Sequence, residues 1–294
     1  MGNELFNGHS MVDNLRRVLV CPPEHAGWND PARRSSFEQL GFHHPPDFEI
    51  ARKQHQELCK ILNQAGAEVS VLPASPTLTL DAAYAHDASI ATDFGIILMR
   101  PGKQNRIPEA DAQREFFDAQ GIKVLGEIRG PGTTEAGDMV WLDAKTLLIG
   151  LGYRTNSSGI EQMRALLAPY GIEVIKAPLP YGPGPSACLH LMSLMSVLDR
   201  ETILVDLAWL TVETVELLRA RGFSFIHIDD SERDTLACNV LSLGSKRLIA
   251  LQENAKTNER LRSAGFKVST FPGDEVCING AGGPTCLTRP LARD

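Results

Sequence analysis

The chain has 294 residues, 43% of them hydrophobic, so it is long enough to bury one large core or two smaller ones. Its formal net charge of −7 disfavours a nucleic-acid or anionic-membrane surface, and no apolar run approaches the roughly 20 residues that span a bilayer. The N-terminal stretch MGNELFNGHSMVDNLRR lacks the apolar centre of a signal peptide. The six cysteines form no CxxC pair, which predicts reduced thiols in a cytoplasmic protein and neither a disulfide framework nor a metal site.

Five amphipathic, helix-like stretches each end in a glycine and run directly into a β-type segment. In chain order they are QELCKILNQAGAEVSVLP, AQREFFDAQGIKVLGE, EQMRALLAPYGIEVIKAP, VELLRARGFSFIHID and NERLRSAGFKVSTFP, with Gly66, Gly121, Gly171, Gly222 and Gly265. A glycine in this position is typical of the left-handed residue that ends a helix. The glycines are 43 to 55 residues apart, which indicates a structural repeat.

A second element recurs between these helices, namely two β-type runs around a short polar turn. Examples are ASIATDFGIILMR, DMVWLDAKTLLIG, LMSLMSVLDRETILVDL and NVLSLGSKRLIAL, while RRVLVCPP and CLTRPL would supply a unit split between the chain ends. Five hairpin-plus-helix units predict a single domain over residues 1–294, an α/β five-bladed propeller with pseudo-five-fold symmetry, closed because an open array leaves unpaired edges. The alternative is an ordinary α/β protein with alternating elements.

Chemically capable residues precede the first strand of each hairpin. They are Asp87, Glu135 with Asp138, His190, Cys238 with Asn239, and Cys286. In a ring, equivalent positions converge at one end of the axis, so these side chains should face a common cavity. A thiolate there could act as a nucleophile with an imidazole as acid and base. Because no Lys or Arg occupies these strand starts, we expect the compensating cation to be the substrate, such as a guanidinium.

Each of these residues also has a purely structural explanation. Cys286 and Cys238 could be buried small side chains, and His190 lies among apolar neighbours that are typical of a core histidine. Asp87 and Asp138 could be turn or capping residues. Their common position in the repeat favours the catalytic interpretation. The glycines of GAGGPTC, just before Cys286, would permit close approach of a substrate.

Several short motifs, in this order and spacing, resemble those of a known superfamily. LDAAYAHD is similar to an L-P-D-x-x-F-x-x-D stretch, LMRPGKQNR to a T-R-P-G segment, EAGDMV to an acidic-Gly-Gly-Asp motif, and GYRTNSSGIE to R-T-N-x-x-G, followed by HLMS and GGPTCLTRPL. The whole chain thereby resembles the guanidino-group-modifying enzymes, the pentein or α/β-propeller superfamily. The branch that it resembles most is that of the dimethylargininases, the dimethylarginine dimethylaminohydrolases.

The resemblance implies a role for each matching residue. Cys286 would attack the guanidinium carbon, and His190 would protonate the departing amine and then activate water. Glu135 would orient the histidine or bind the guanidinium. The implied substrate-binding residues are Asp87 for the guanidinium, Asp81 for the α-amino group, Tyr84 as an aromatic cover, Arg106 and Arg154 for the α-carboxylate, and Asp138 as the second acid of its motif. The implied reaction converts an N-methylated arginine to citrulline and an alkylamine, without a cofactor or a metal.

Some positions depart from the family pattern. Met192 stands where arginine deiminases and amidinotransferases carry the Asp of H-x-D, which favours the dimethylargininase branch. His86 replaces an acidic residue that contacts the guanidinium, Ala136 replaces a glycine, and the insert at 24–48 could be a lid. An arginine deiminase-like enzyme, a hydrolase of another substituted guanidine, an amidinotransferase and a non-catalytic binding module of the same fold therefore stay open as alternatives. The partner is a small guanidino substrate, and a homodimer is left open.

Overall fold

The computed structural model describes residues 6–294, which contain five three-stranded sheets. In chain order the strands are β1 (Leu15–Val20), β2 (Glu68–Val71), β3 (Ser89–Thr92), β4 (Gly95–Leu98), β5 (Val124–Glu127), β6 (Met139–Asp143), β7 (Thr146–Leu151), β8 (Glu173–Pro178), β9 (Met195–Val197), β10 (Thr202–Val205), β11 (Ser224–His227), β12 (Leu241–Gly244), β13 (Arg247–Leu251), β14 (Lys267–Phe271) and β15 (Thr288–Arg293). Each sheet is one blade, so the predicted five-bladed α/β propeller is confirmed.

Every blade repeats one pairing pattern. The central strand pairs antiparallel with the strand before it and parallel with the strand after it, as β4 does with β3 and β5. The blade that contains β1 draws on both ends of the chain, because β15 pairs antiparallel with β1, which in turn pairs parallel with β2. The predicted unit split between the chain ends is therefore present.

Helices connect the central strand of each blade to its third strand, since a parallel pair needs a crossover. These five helices are α3 (Phe48–Gln64), α4 (Ile107–Ala119), α5 (Ser157–Leu167), α6 (Val212–Ala220) and α7 (Ala255–Ser263), and two short helices, α1 (Pro31–Arg34) and α2 (Phe37–Leu40), precede them. The glycines that follow the five long helices all have φ between +66° and +91°, as predicted. None of the helices in residues 6–294 combines the length and the apolarity needed to span a membrane.

Burial differs systematically across a blade. All residues of β3 and β4 are buried, whereas those of β5 are only partly buried and the ends of β2 and β11 are exposed. The first and central strands therefore lie inside the molecule and the third strands near its surface. The residues that precede the first strands are consequently brought together at the centre, which is where the site forms.

The insert at 24–48 is a fixed part of the fold in this structure. Trp28 is fully buried, and its Nε1 donates to the carbonyl of Leu80 at 2.9 Å. The backbone N–H groups of His43 and His44 donate to the carbonyl and the side-chain oxygen of Asn279 at 2.9 and 3.0 Å. These bonds tie the insert to two other parts of the chain, so it forms a wall beside the site.

Candidate active site

A cavity of about 850 Å³ opens at the starts of the first strands, and we call it the active-site cavity. Asp87, His190, Asn239 and Cys286, each from a different blade, line it together with the insert residues 38–41. Glu135 is fully buried and reaches the cavity through its contact with His190. The predicted convergence of equivalent positions is therefore seen in the structure.

His190 is held by a carboxylate that is itself paired with an arginine. Its Nε2 lies 2.7 Å from Glu135 Oε2, and Arg154 Nη1 donates to the same oxygen at 3.0 Å. The backbone N–H of His190 donates to Ser193 Oγ at 3.2 Å, at the start of a 3₁₀ turn over Leu191–Ser193. The histidine is thus fixed from its ring and from its backbone.

The charges around His190 favour its protonated form. Burial alone lowers the pKa of His190, but Cys188, Asp87 and Asp138 around it raise that pKa well above its usual value. Burial likewise raises the pKa of Glu135, but the hydrogen bond and charge of His190, with the charge of Arg154, bring it down to about 2. The resting site therefore holds an imidazolium beside a carboxylate, a state suited to a general acid.

Asp87 is held by Arg106 and by a backbone amide. Gly137 N donates to Asp87 Oδ1 at 2.8 Å, and Arg106 Nη1 donates to Oδ2. Arg106 also donates to Glu109 from Nε and Nη2 at 2.9 and 2.8 Å and to the carbonyl of Tyr84. Four of its five N–H groups are thereby used. Its placement favours a structural role and not the implied contact with a substrate carboxylate.

The sequence suggested that the substrate supplies the positive charge that compensates these carboxylates. In the structure two arginines of the chain already supply such charges. Arg106 pairs with Asp87, and Arg154 pairs with Glu135. Neither arginine precedes a first strand, so the repeat pattern alone could not reveal these pairs. Arg154 keeps part of its guanidinium for other partners, because only its Nη1 is engaged with Glu135 and its side chain lines the cavity.

Cys286 is a half-buried thiol that is oriented by an amide side chain. Asn239 Nδ2 donates to Cys286 Sγ at 3.2 Å, while Asn239 Oδ1 accepts from Thr285 N at 2.9 Å. Burial, with the charges of Asp87 and Cys188, raises the pKa of Cys286 to about 12, although His190 and Asn239 act in the opposite direction. The resting thiol is therefore protonated. Sequence reasoning placed Asn239 at the right position in the repeat but gave it no role.

The glycines before Cys286 are closely packed, and Gly280 and Gly282 also line the active-site cavity. A Cβ at Gly280 would lie 1.9 Å from the Tyr84 hydroxyl, and one at Gly282 would lie 2.4 Å from the Tyr84 ring. A Cβ at Gly283 would lie 2.5 Å from Asn239 Cγ. Any side chain at these positions would displace the two residues that border the thiol.

Asp81 and Tyr84 line the same cavity, next to a lysine that the motifs did not indicate. Lys103 Nζ lies 2.7 Å from Asp81 Oδ2 and donates to the carbonyl of Leu40 in α2. The backbone N–H of Lys103 donates to Glu135 Oε1 at 3.2 Å. The cavity wall thus carries an ammonium and a carboxylate side by side, linked both to the insert and to the histidine's partner.

Asp138 is not a substrate-binding residue in this structure, which corrects that expectation. It is fully buried, and its Oδ1 accepts from Leu191 N at 2.9 Å. Burial raises its pKa to about 6. Because Leu191 follows His190, the aspartate holds the turn that presents the histidine. Cys238 is also remote from the cavity, since it is buried and its Sγ lies 3.6 Å from the carbonyl of Leu204.

His86 does not border the active-site cavity, so the implied contact with a guanidinium is not formed. Its Nδ1 lies 2.8 Å from the carbonyl of Thr288, and burial together with Arg289 lowers its pKa to about 3. Its ring lines a different, smaller cavity that also contains Arg289. The alternation of side chains along the chain explains why Asp87 faces the active site and its neighbour does not.

Cys188 is a second thiol in the active-site cavity that the sequence motifs did not indicate. It is exposed, and its Sγ lies 3.7 Å from His190 Nδ1. Burial of the sulfur raises the pKa of Cys188, but His190 and Arg154 lower it by more, so the net shift is downward. In the sequence, its position two residues before His190 could have indicated that it lies near the site.

The carboxylates and the imidazole form a compact group. One nitrogen or oxygen atom each from Asp87, Glu135 and His190 lie within 4.8 Å of one another, a spacing that a metal ion could also use. Arg106 and Arg154 already bring two guanidinium groups to these carboxylates. These two guanidinium groups would repel a divalent metal ion. They would repel a substrate guanidinium less, because it carries one positive charge instead of two.

Comparisons with known proteins agree with this geometry. The model of the family described as N,N dimethylarginine dimethylhydrolase, eukaryotic, matches residues 29–293. Protein YkgA of Bacillus subtilis is 26% identical, over 95% of this chain and 92% of its own length. The dimethylarginine dimethylaminohydrolase of Pseudomonas aeruginosa is 26% identical, over 83% and 89%.

A solved structure with the same fold is the N-terminal domain of ArgZ, an arginine dihydrolase from cyanobacteria. It superimposes with a TM-score of 0.79 at 22% identity, covering 96% of this chain and 98% of that domain. At this identity the likeness concerns the fold alone. The family match is the stronger finding because it spans nearly the whole chain and includes the cavity. This chain therefore belongs to the N,N dimethylarginine dimethylhydrolase family, a family of guanidino-group hydrolases.

Proposed function

We propose that this protein hydrolyses the C–N bond of an N-methylated arginine, giving citrulline and an alkylamine. The observation that carries the proposal is the meeting, in one cavity, of the Cys286 thiol and the His190 imidazolium beside two carboxylates. The substrate cation binds at Asp87, which lines the cavity and whose two oxygens each accept one hydrogen bond and keep a second lone pair. A guanidinium bound there presents its planar carbon to the thiol.

The first half of the reaction forms a covalent intermediate. The positive charge of the bound substrate lowers the pKa of Cys286, and the thiol gives its proton to solvent water. The thiolate attacks the guanidinium carbon, and a tetrahedral adduct forms. The C–N bond to the alkylamine breaks as His190 donates its proton to the departing nitrogen. A thiouronium group on Cys286 remains, with a neutral imidazole beside it.

The second half releases the product. The neutral His190 takes a proton from water, and the resulting hydroxide attacks the thiouronium carbon. The hydroxyl group of this adduct gives its proton to solvent as the C–S bond breaks, which releases the ureido group of citrulline. The thiolate then takes a proton from solvent and the resting thiol is restored. Glu135 stabilises the imidazolium in both halves because its carboxylate lies 2.7 Å from the ring.

The wall of the cavity favours an α-amino acid as the substrate. Asp81 and Lys103 form an adjacent carboxylate and ammonium, a pair complementary to the α-amino and α-carboxylate groups of a zwitterion. Arg154 lines the same cavity with N–H groups that its bond to Glu135 leaves available. A decarboxylated guanidine such as agmatine has no carboxylate that could bind to Lys103 and Arg154.

A second candidate is a hydrolase that acts on arginine itself. The absence of an aspartate two residues after His190, where Met192 stands, argues against it, because a carboxylate there would bind the unsubstituted nitrogens. The large cavity of about 850 Å³ also has room for methyl groups on the guanidinium.

The test measures citrulline released from arginine, monomethylarginine and asymmetric dimethylarginine, together with the amine set free. Methylated substrates should be turned over faster than arginine, and Cys286→Ser should abolish release. Cys188→Ser is the matched comparison, because it removes the other thiol of the same cavity. Since Cys188 favours the protonated form of His190, this variant should lose activity only in part, whereas Cys286→Ser loses all of it. Preference for arginine would overturn the substrate assignment, and loss of activity only in Cys188→Ser would overturn the nucleophile.

A further inference from the structure

A small second cavity lies farther along the first strands of three blades, and we call it the rear cavity. Its volume is about 30 Å³, and its walls include the N-terminal segment 7–11, Trp141 of β6, and Arg289 and Arg293 of β15. Its lining shares no residue with that of the active-site cavity, although His86 directly precedes Asp87 in the chain. Among the described residues that line it there is no Asp or Glu.

Three nitrogen donors of this wall are buried without a hydrogen-bond partner in residues 6–294. They are Trp141 Nε1, Arg289 Nε and Arg293 Nε, from side chains of residues that are 4, 5 and 5% exposed. A buried N–H left without an acceptor costs about 1–3 kcal/mol, more when the group is charged. Three such groups around one cavity indicate an acceptor that they share.

The two arginines are also cations without a carboxylate partner in the described structure. Arg289 Nη1 donates to the carbonyls of His86 and Ser89, and Arg293 donates to those of Asp13 and Ser242 at 2.6 and 2.9 Å. Burial lowers the pKa of Arg289 to about 9 and that of Arg293 to about 10, although the charges of Asp87 and Asp13 act in the opposite direction. A negative ion would supply the missing charge.

The volume selects the kind of anion. About 30 Å³ exceeds the roughly 10–15 Å³ that a single water molecule needs by only a small margin, so the cavity suits one monatomic ion better than the larger phosphate, sulfate or a carboxylic acid. Ser10 adds a donor, because its Oγ already accepts from Val12 N and Asp13 N and keeps its own hydrogen. A water molecule surrounded by N–H and O–H donors would have to point its own hydrogen atoms at some of them. A halide has no hydrogen atoms and accepts from all of these donors.

A larger recess of about 390 Å³ adjoins the rear cavity, and we call it the vestibule. The vestibule shares Ser10, Trp141 and Arg293 with the rear cavity. Three of its aspartates are each paired with an arginine, Asp13 with Arg200, Asp143 with Arg221 and Asp294 with Arg16, and Asp93 lies 3.3 Å from His9. The charges of the three aspartates that pair with arginines are thereby compensated, whereas burial lowers the pKa of His9 and leaves Asp93 beside a neutral ring.

We propose that the rear cavity binds one halide ion, chloride under ordinary conditions, held by the indole N–H of Trp141 and the guanidinium groups of Arg289 and Arg293. The ion stabilises the folded chain by pairing with both buried cations at the inner end of β15. This site is separate from the active-site cavity and does not depend on the proposed reaction.

Two measurements on the full chain test this site. Crystals soaked in sodium bromide should give an anomalous peak in the rear cavity. In solution, replacing sodium gluconate by sodium bromide at equal ionic strength should raise Tm by about 2–3 °C, because a ligand that binds only the folded state stabilises it. No peak in the rear cavity, or peaks only at surface arginines, would overturn the proposal.

Matched tryptophan variants separate the site from general salt effects. Trp141→Phe keeps an aromatic ring but removes the N–H, so the bromide-dependent rise in Tm should shrink by half or more. Trp28→Phe removes an indole N–H that donates to the Leu80 carbonyl outside the rear cavity, so its Tm should fall equally in both salts and keep the rise. An undiminished rise in Trp141→Phe would also refute the assignment.

Discussion

Asn239 offers a sharp test of how the thiol is activated. Its Nδ2 donates to Cys286 Sγ at 3.2 Å, and a hydrogen bond to a charged group contributes about 1.5–3 kcal/mol. Asn239→Ala should therefore raise the pKa of Cys286 from about 12 by about one to two further units. The more basic thiolate is also more nucleophilic, which recovers about half of the loss on a logarithmic scale. The net result is alkylation about 3- to 15-fold slower at pH 8.

The assay is the second-order rate constant for iodoacetamide at Cys286, read on the Cys286 peptide by mass spectrometry. A Cys188→Ser background removes the other thiol of the cavity. Asn239→Asp is the informative partner, because its carboxylate can still accept from Thr285 N, as Asn239 Oδ1 does at 2.9 Å. In the aspartate variant a negative charge takes the place of the amide N–H that donates to Cys286 Sγ. Because this charge disfavours the thiolate, the aspartate variant should react more slowly than the alanine variant.

The order of the rates decides between two roles for Asn239. If it stabilises the thiolate, the order is wild type, then alanine, then aspartate. If it only holds the loop through Thr285, the aspartate variant keeps that bond and should react faster than the alanine variant. The second order would refute the reasoning, and so would an alanine variant as reactive as the wild type.

Further predictions concern the histidine, its partner and the core. Gly137→Ala places a Cβ 2.7 Å from His190 Nδ1 and 2.8 Å from Asp87 Oδ1, so kcat should fall more than tenfold while Tm changes by a few degrees at most, measured by turnover and by calorimetry. Glu135→Gln removes a carboxylate that favours the imidazolium, so the alkaline limb of the kcat–pH profile should move to lower pH, and an unmoved limb would exclude this role. Because the pKa of Glu135 is depressed from 4.5 to about 2, its stabilisation is present above pH 4.5 and is lost as the pH falls toward 2, so Tm should drop less steeply over that range in Glu135→Gln. Phe117→Ala, in the fully buried face of α4, should lower the free energy of unfolding by about 3–5 kcal/mol in urea denaturation, and a loss below 1 kcal/mol would contradict its place in the core.

The sequence by itself determined the repeat and the position of the reactive residues within it. Glycine after each helix and a polar turn in each hairpin are local signals, since each reflects the backbone conformation of a few residues. Their regular spacing predicts five blades and places Asp87, His190 and Cys286 at equivalent points. Symmetry then brings these residues together, so the main chemistry could be predicted without contact information.

The tertiary structure decided what surrounds those residues. The bonds of Arg106 to Asp87 and of Lys103 to Asp81 depend on side-chain geometry between segments at different positions in the repeat. The glycines before Cys286 illustrate the same limit, because the sequence predicts space at these positions but not that Tyr84 and Asn239 fill it. Periodicity specifies where a Cα lies in a blade, whereas hydrogen-bond partners are fixed only when side chains from several blades compete for the same buried atoms.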